Sequence, residues 1–173
     1  MAVVSVNTTS VPPIGLPVGD PTFAGFQWFV STIMGVPGAS MPPNDWLQIA
    51  YDEAANLTYW ALATVPSQPT SPSIYAFAVY NLGCALLLEF AQDDPNAQPP
   101  STFWTNLRTA LNINSANFGI ITSAADQGTA DSFYIPDAIK NMTLMDLQLA
   151  KSPWGRKFLM ISGEWGSIWG ITF

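Results

Sequence analysis

Apolar and polar positions alternate along the chain in a way that predicts helical runs separated by proline-bearing loops. Asp20-Pro21 reads as a helix start, a capping side chain followed by proline at the first helical position, and Phe23, Phe26, Phe29 or Val30, and Ile33 then recur at helical spacing up to Gly35. A second run, from Asn44 or Asp45 to about Val65, sets Trp46, Ile49, Ala50, Leu57, Trp60 and Ala61 on one side and Asp52, Glu53 and Asn56 on the other. Ser71-Pro72 reads as the cap of a third helix, Ser73 to about Gln92, which is apolar on every face (IYAFAVYNLGCALLLEF). Such a run approaches the length of a membrane span, but Asn81 and Glu89 lie inside it and no Lys or Arg flanks it, so a central core helix is the expectation. A fourth, shorter helix is predicted from Ser101 to Leu111, with Phe103 or Trp104, Leu107 and Leu111 on its buried side.

Beyond Leu111 the period changes. Ile120 and Thr122 suit one strand, Phe133 and Ile135 another, and Asp126-Gln127-Gly128 reads as the turn between them. Pro136-Asp137 begins a helical stretch to about Lys151, with Leu144, Leu147 and Ala150 or Lys151 on its apolar face. Ser152-Pro153 repeats the cap-plus-proline signal and opens a last helix carrying Trp154, Phe158, Leu159 and Ile161. The expected fold is therefore mainly α: an extended proline-rich arm over 1–21, one helical bundle domain over 22–165 with a protruding β-hairpin at about 118–136, and an aromatic tail over 166–173.

Composition changes the picture in one respect. With 173 residues the chain suits a single domain, and only 10% of it is charged, against about 25% in ordinary globular domains. Surface with so few charges is expected to be covered by other subunits. The net charge is −7 and is unevenly spread: Asp20, Asp45, Asp52, Glu53, Glu89, Asp93 and Asp94 face no basic residue before Arg108, whereas four of the five bases fall between Lys140 and Lys157. That distribution offers no phosphate-binding footprint and argues against specific nucleic-acid recognition, though an acidic wall would let DNA slide past.

Candidate chemistry is sparse. The chain has no histidine, which excludes imidazole-based catalysis and metal binding, and it has no Gly-rich phosphate loop. Asp52-Glu53 are neighbours on a helix and diverge by about 100°. Asp93-Asp94-Pro95 reads as a turn, and Asp126 to Asp131 lacks the dense oxygen ligands of a calcium loop. Cys84 has no partner for an intrachain disulfide and reads as a buried thiol of a chain folded in a reducing compartment. The N-terminus lacks the basic n-region of a secretory signal, so the acceptor-type tripeptides at Asn7, Asn56 and Asn141 read as chance. No catalytic residue, cofactor or metal ligand is expected.

The order of parts, with YDEAANL and IYAFAVYNLGCALLLEF followed by ITSAADQGTADSFYIP and SPWGRKFL, resembles the head–tail connector (adaptor, or head-completion) proteins of tailed bacteriophages over roughly Asn44 to Trp165. The proline-rich arm and aromatic tail depart from that shorter pattern. The resemblance implies a virion subunit, assembled in the host cytoplasm, that forms a homo-oligomeric ring of about twelve copies beneath the portal protein. Such a ring extends the DNA channel and docks the tail or tail-terminator protein. On that reading Ile120, Thr122, Asp126, Gly128, Asp131, Phe133 and Ile135 contact a subunit or tail protein, Trp154 and Arg156 fix the last helix against a neighbour or the portal, and Trp165 and Trp169 are further contact candidates. Two other classes are a membrane pore or lysis protein built on Ile74 to Phe90, and a sugar-binding or hydrolytic virion protein using Trp165 and Glu164.

Overall fold

The computed structural model describes residues 19–58, 62–63, 72–96, 100–114, 123–126, 129–132 and 142–165. The architecture is mainly α. Among the described residues the helices are α1 (Phe23–Thr32), α2 (Asn44–Leu57), α3 (Ile74–Phe90), α4 (Phe103–Ala110), α5 (Leu144–Leu149) and α6 (Pro153–Trp165), with a 3₁₀ turn at Gly38–Ser40.

The organising element is α3. Twelve of its seventeen residues are buried, from Ala76 to Leu88, because a helix that is apolar all round is stable only when neighbours cover every side. On one side α2 lays Leu47, Ala50 and Ala54 against it, and on another α6 packs with Phe158 and Ile161, so that α2 and α6 each pack chiefly on α3 rather than on each other. Gly83 makes room for α1: a Cβ there would stand 2.8 Å from Cε2 of the buried Phe26 ring. Phe26, Phe29, Tyr51, Phe77 and Tyr80 form one aromatic cluster, in which Phe29 meets Phe77 edge-on with ring centroids 6.0 Å apart. No helix among the described residues is long and apolar enough to cross a membrane.

Several boundaries differ from the sequence expectation, each for a local reason. The cap of α1 is Thr22, whose hydroxyl accepts from the Gly25 amide at 3.1 Å, not Asp20. Tyr80 selects that start by accepting from the Thr22 amide at 3.0 Å through its hydroxyl, while Tyr51 donates to the Pro21 carbonyl at 2.9 Å. For α3 the cap is Ser73, bonded to the Ala76 amide at 3.0 Å, rather than Ser71. α2 stops at Leu57 instead of about Val65, since Thr58 adopts extended backbone. α2 is also rotated from expectation: Ile49, placed on the apolar side by its spacing, is 56% exposed.

α4 ends in a Schellman motif, with Asn112 in the left-handed region (φ 54) and the Ile113 amide donating to the Arg108 carbonyl at 3.0 Å. α5 starts at the Thr143 cap, and the expected helical start at Pro136-Asp137 lies outside the described residues. Thr143 and Asp146 exchange side-chain and backbone hydrogen bonds as a capping box. Its buried residue is Leu149, whereas Leu144, expected on the apolar face, is 72% exposed.

Ser123–Asp126 and Thr129–Ser132 pair antiparallel, with Asp126 opposite Thr129. The expected protruding hairpin over 118–136 is not supported by this: a two-stranded pairing of four residues each is marginal by itself, and the apolar positions expected to define it lie outside the described residues. Residues 1–18 of the expected arm and the tail 166–173 also lie outside the described residues. Gly19 is bridged to Pro72, and its carbonyl accepts from the Ser73 amide at 3.2 Å, so this end of the expected arm is tied to the start of α3.

Candidate functional site

Of the residues singled out in the sequence, Trp154 and Arg156 are brought together at the corner between α5 and α6. The corner is built from its sequence in order. Ser152 is buried and accepts from the Gly155 amide at 2.8 Å, capping α6, while Pro153 occupies the first helical turn, where its missing N–H costs nothing. Gly155 then passes so close to the end of α5 that a Cβ would lie 2.0 Å from the Leu149 carbonyl oxygen. Arg156 is exposed but turns its Nη1 back to the Ala150 and Lys151 carbonyls, at 3.1 and 3.3 Å. A cation over the last carbonyls of a helix is favourably placed with respect to the helix dipole. Trp154 is half-buried and packs on the intrachain core. The Ser-Pro-Trp-Gly-Arg motif is thus first of all a helix corner, and the contacts it makes here are within the chain.

Three further named residues are among those described. Asp126 ends one strand, and Asp131 stands opposite Ala124. Trp165 is the last residue of α6. Ile120, Thr122, Gly128, Phe133, Ile135 and Trp169 lie outside the described residues.

Sequence reasoning missed a second polar assembly. Asp93, read as part of a turn, bonds across the loop to the start of α4: its Oδ1 accepts from the Trp104 amide at 2.9 Å and the Ser101 hydroxyl at 3.1 Å, and its Oδ2 accepts from the Thr105 amide at 2.8 Å. Burial pushes its carboxyl up, but hydrogen bonds from Thr105, Trp104 and Ser101 outweigh this and leave the pKa below the ordinary aspartate value. Beside it, a surface cavity of about 400 Å³ is lined by residues 39–43, Trp46 and residues 92–95. The buried Trp104 anchors the region by donating from Nε1 to the Ser40 carbonyl at 2.9 Å. Ser101-x-x-Trp104, next to an acid across a loop, leaves no short-range signature, because the capping side chain comes from outside the helix.

A groove of about 550 Å³ is bordered by Glu53, Leu86, Glu89, Leu144, Met145, Gln148 and Leu149. Burial, followed by the nearby Glu53 charge, pushes the Glu89 carboxyl above its ordinary value. Among the described residues no group of three or more Cys, Asp or Glu is placed to hold a metal ion. Cys84 is fully buried, and burial pushes its thiol well up, which keeps it protonated and unreactive.

The outward faces of α2 and α6 differ in charge. On α2, Asp45, Asp52 and Glu53 are exposed around Ile49; on α6, Arg156 and Lys157 are exposed beside Met160, which is 49% accessible. Asp45, Asp52 and Glu53 fall at i−4, i+3 and i+4 from Ile49, whereas on α6 Arg156 and Lys157 precede Met160 by one turn and Glu164 follows it by four residues, so that helix carries both signs of charge. No family model, curated protein or solved structure matches the chain.

Proposed function

We propose that this chain is a structural subunit of a tailed-phage virion, a head–tail connector that assembles into a homo-oligomeric ring beneath the portal, lines the DNA exit channel and receives the tail. The observation that carries this reading is the outer surface of the helical body. Ile33, Ile49, Leu144, Met145 and Met160 are large apolar side chains left exposed on its helices or their ends, in a chain with only 10% charged residues. A subunit that buries its flanks against copies of itself can carry such a surface, whereas a monomer must solvate it.

The order of elements supports the same reading, in that a helical body precedes the polar segment around Ser123–Ser132 and the Ser-Pro-Trp-Gly-Arg corner. In the proposed ring the segment 118–136 contacts a neighbouring subunit or the tail protein, and the proline-rich arm lies across an adjacent copy. The excess of acid suits a wall past which DNA moves without being held. The number of copies is expected to be about twelve.

Sedimentation of the purified chain, alone and mixed with the portal ring of the same virus, tests the proposal. Formation of a ring-sized species, either alone or on the portal, is the expected result. A compact monomer that stays indifferent to the portal overturns it.

A further inference from the structure

We infer that the cavity between the start of α2 and the loop after α3 receives the proline-rich N-terminal arm of a neighbouring copy, so that residues 13–17 of one subunit strap it to the next. The inference rests on the ring reading above and names one contact that would build it. The cavity, about 400 Å³ in volume, presents the half-buried Trp46 among Met41, Pro42, Pro43 and Pro95, with the exposed Gln92 at its edge. An aromatic-lined surface of this kind is what an extended proline-rich segment docks on. It also offers donors that the chain does not use: among the described residues no hydrogen bond engages the Trp46 indole N–H or the Gln92 side-chain amide. The arm has the matching chemistry. Residues 1–18 include Pro12, Pro13 and Pro17 and carry no charged side chain. In a polyproline-type segment three residues make a turn, which sets Pro13 with Leu16, and Ile14 with Pro17, on adjoining edges, and the backbone carbonyls have no internal partner. Such a segment is rich in acceptors and poor in donors, so the Trp46 and Gln92 N–H groups complement it.

Reach decides whose cavity is filled. The arm joins the body at Gly19, which is bridged to Pro72 where α3 begins. The cavity lies past the other end of α3, and a helix of seventeen residues separates the two ends by about 25 Å. Pro13 is six residues before Gly19 and extends at most about 22 Å from it. Pro13 to Pro17 therefore fall short of the cavity of their own chain, and the cavity of an adjacent copy is the one open to them. Arm on one copy and cavity on the next make a heterologous contact, and such a contact repeated with a closing rotation generates a ring.

The test uses cross-linking and substitution on the full chain, both alone and with the portal ring. Chains carrying Gly15→Cys and chains carrying Asp94→Cys, at the exposed rim of the cavity, should give a cross-linked dimer through a short bismaleimide when mixed, whereas either alone should not. Cys84 does not compete, being fully buried. An excess of a synthetic peptide of residues 8–19 should suppress that product, and the same peptide with its prolines replaced by alanine should not. Trp46→Ala should weaken association by about tenfold, and the exposed Gln92→Ala, which leaves the core untouched, by several-fold. A chain carrying both cysteines that cross-links only within itself overturns the assignment to a neighbour, and Asp94→Cys chains that cross-link to the portal but not to Gly15→Cys chains overturn the assignment of the occupant. A ring that forms undiminished with Gln92→Ala and with Pro12, Pro13 and Pro17 all changed to alanine, and gives no arm-to-cavity product, overturns the contact while leaving the ring reading in place. A chain that never associates, alone or with the portal, overturns both.

Discussion

At the scale of the residue, Gly155 shows how much a single missing methyl can decide. Its Cα approaches the Leu149 carbonyl so closely that any side chain must displace backbone, and backbone at the meeting of two helices has little room to give. Gly155→Ala is expected to cost about 1–3 kcal/mol, the range for overpacking a closed site. Gly163, on the same helix, has nothing within 4 Å of a built Cβ. Gly163→Ala should therefore stabilise by about 0.5–1 kcal/mol through the unfolded chain's lost freedom. Chemical denaturation of both variants checks the pair: equal effects at the two positions would show that the corner is not close-packed. From sequence, Gly155 was recognisable as part of a motif, but nothing in the letters distinguished a glycine demanded by contact from one that is merely tolerated.

At the scale of the element, the helix ends are held by side chains from both near and far. Thr22, Ser73, Thr143 and Ser152 cap locally, and of these only the Ser152-Pro153 start was placed correctly by its sequence signal. α4 is capped from another segment, by Asp93. Arg108, from α4, in turn donates to the Leu88 and Ala91 carbonyls at the end of α3. The two exchanges join the end of one helix to the start of the next. Asp93→Ala is expected to destabilise the chain by about 0.5–2 kcal/mol, as for loss of a capping carboxylate.

The pH dependence of that effect has a definite sign. Because the folded-state pKa of Asp93 is lowered, its contribution is fully present above the ordinary aspartate value of about 4 and is lost as pH falls through the lowered value. The difference between wild type and Asp93→Ala, followed by denaturation across this range, should be constant near neutrality and shrink in acid. A difference that persists unchanged at the lowest pH would mean that the carboxylate charge is not what holds α4.

At the scale of the whole molecule, charge asymmetry is the dominant feature. The seven acids before Arg108 face no base in that part of the sequence, and in the folded chain Asp45, Asp52 and Glu53 fall on α2 while Arg156 and Lys157 fall on α6. In the proposed ring, any contact that joins acids of one copy to bases of another is screened by salt, because exposed charges interact over about 8–10 Å at physiological ionic strength and over about 3 Å at 1 M. Raising ionic strength should accordingly shift the sedimentation of the assembled protein toward smaller species. Assembly strengthened by salt would instead point to contacts governed by apolar burial alone.

Local pattern by itself determined the helical class, the order of the helices and the identity of the core helix. Seventeen consecutive residues without an outward polar face leave α3 no stable position except the centre. It also located the Ser152-Pro153 start of α6. Only the tertiary structure decided which face of α2 is wet, since Ile49 and Ala50 carry the same hydrophobic signal and their burial depends on where α3 lies against the helix. Tertiary structure likewise decided that Trp154 and Arg156 turn inward to their own chain, and that Asp93 caps a helix it does not belong to. These outcomes share a physical reason. Periodicity records how often a side chain returns to one face, whereas burial, close approach and long-range hydrogen bonds depend on which other element occupies the space beside it.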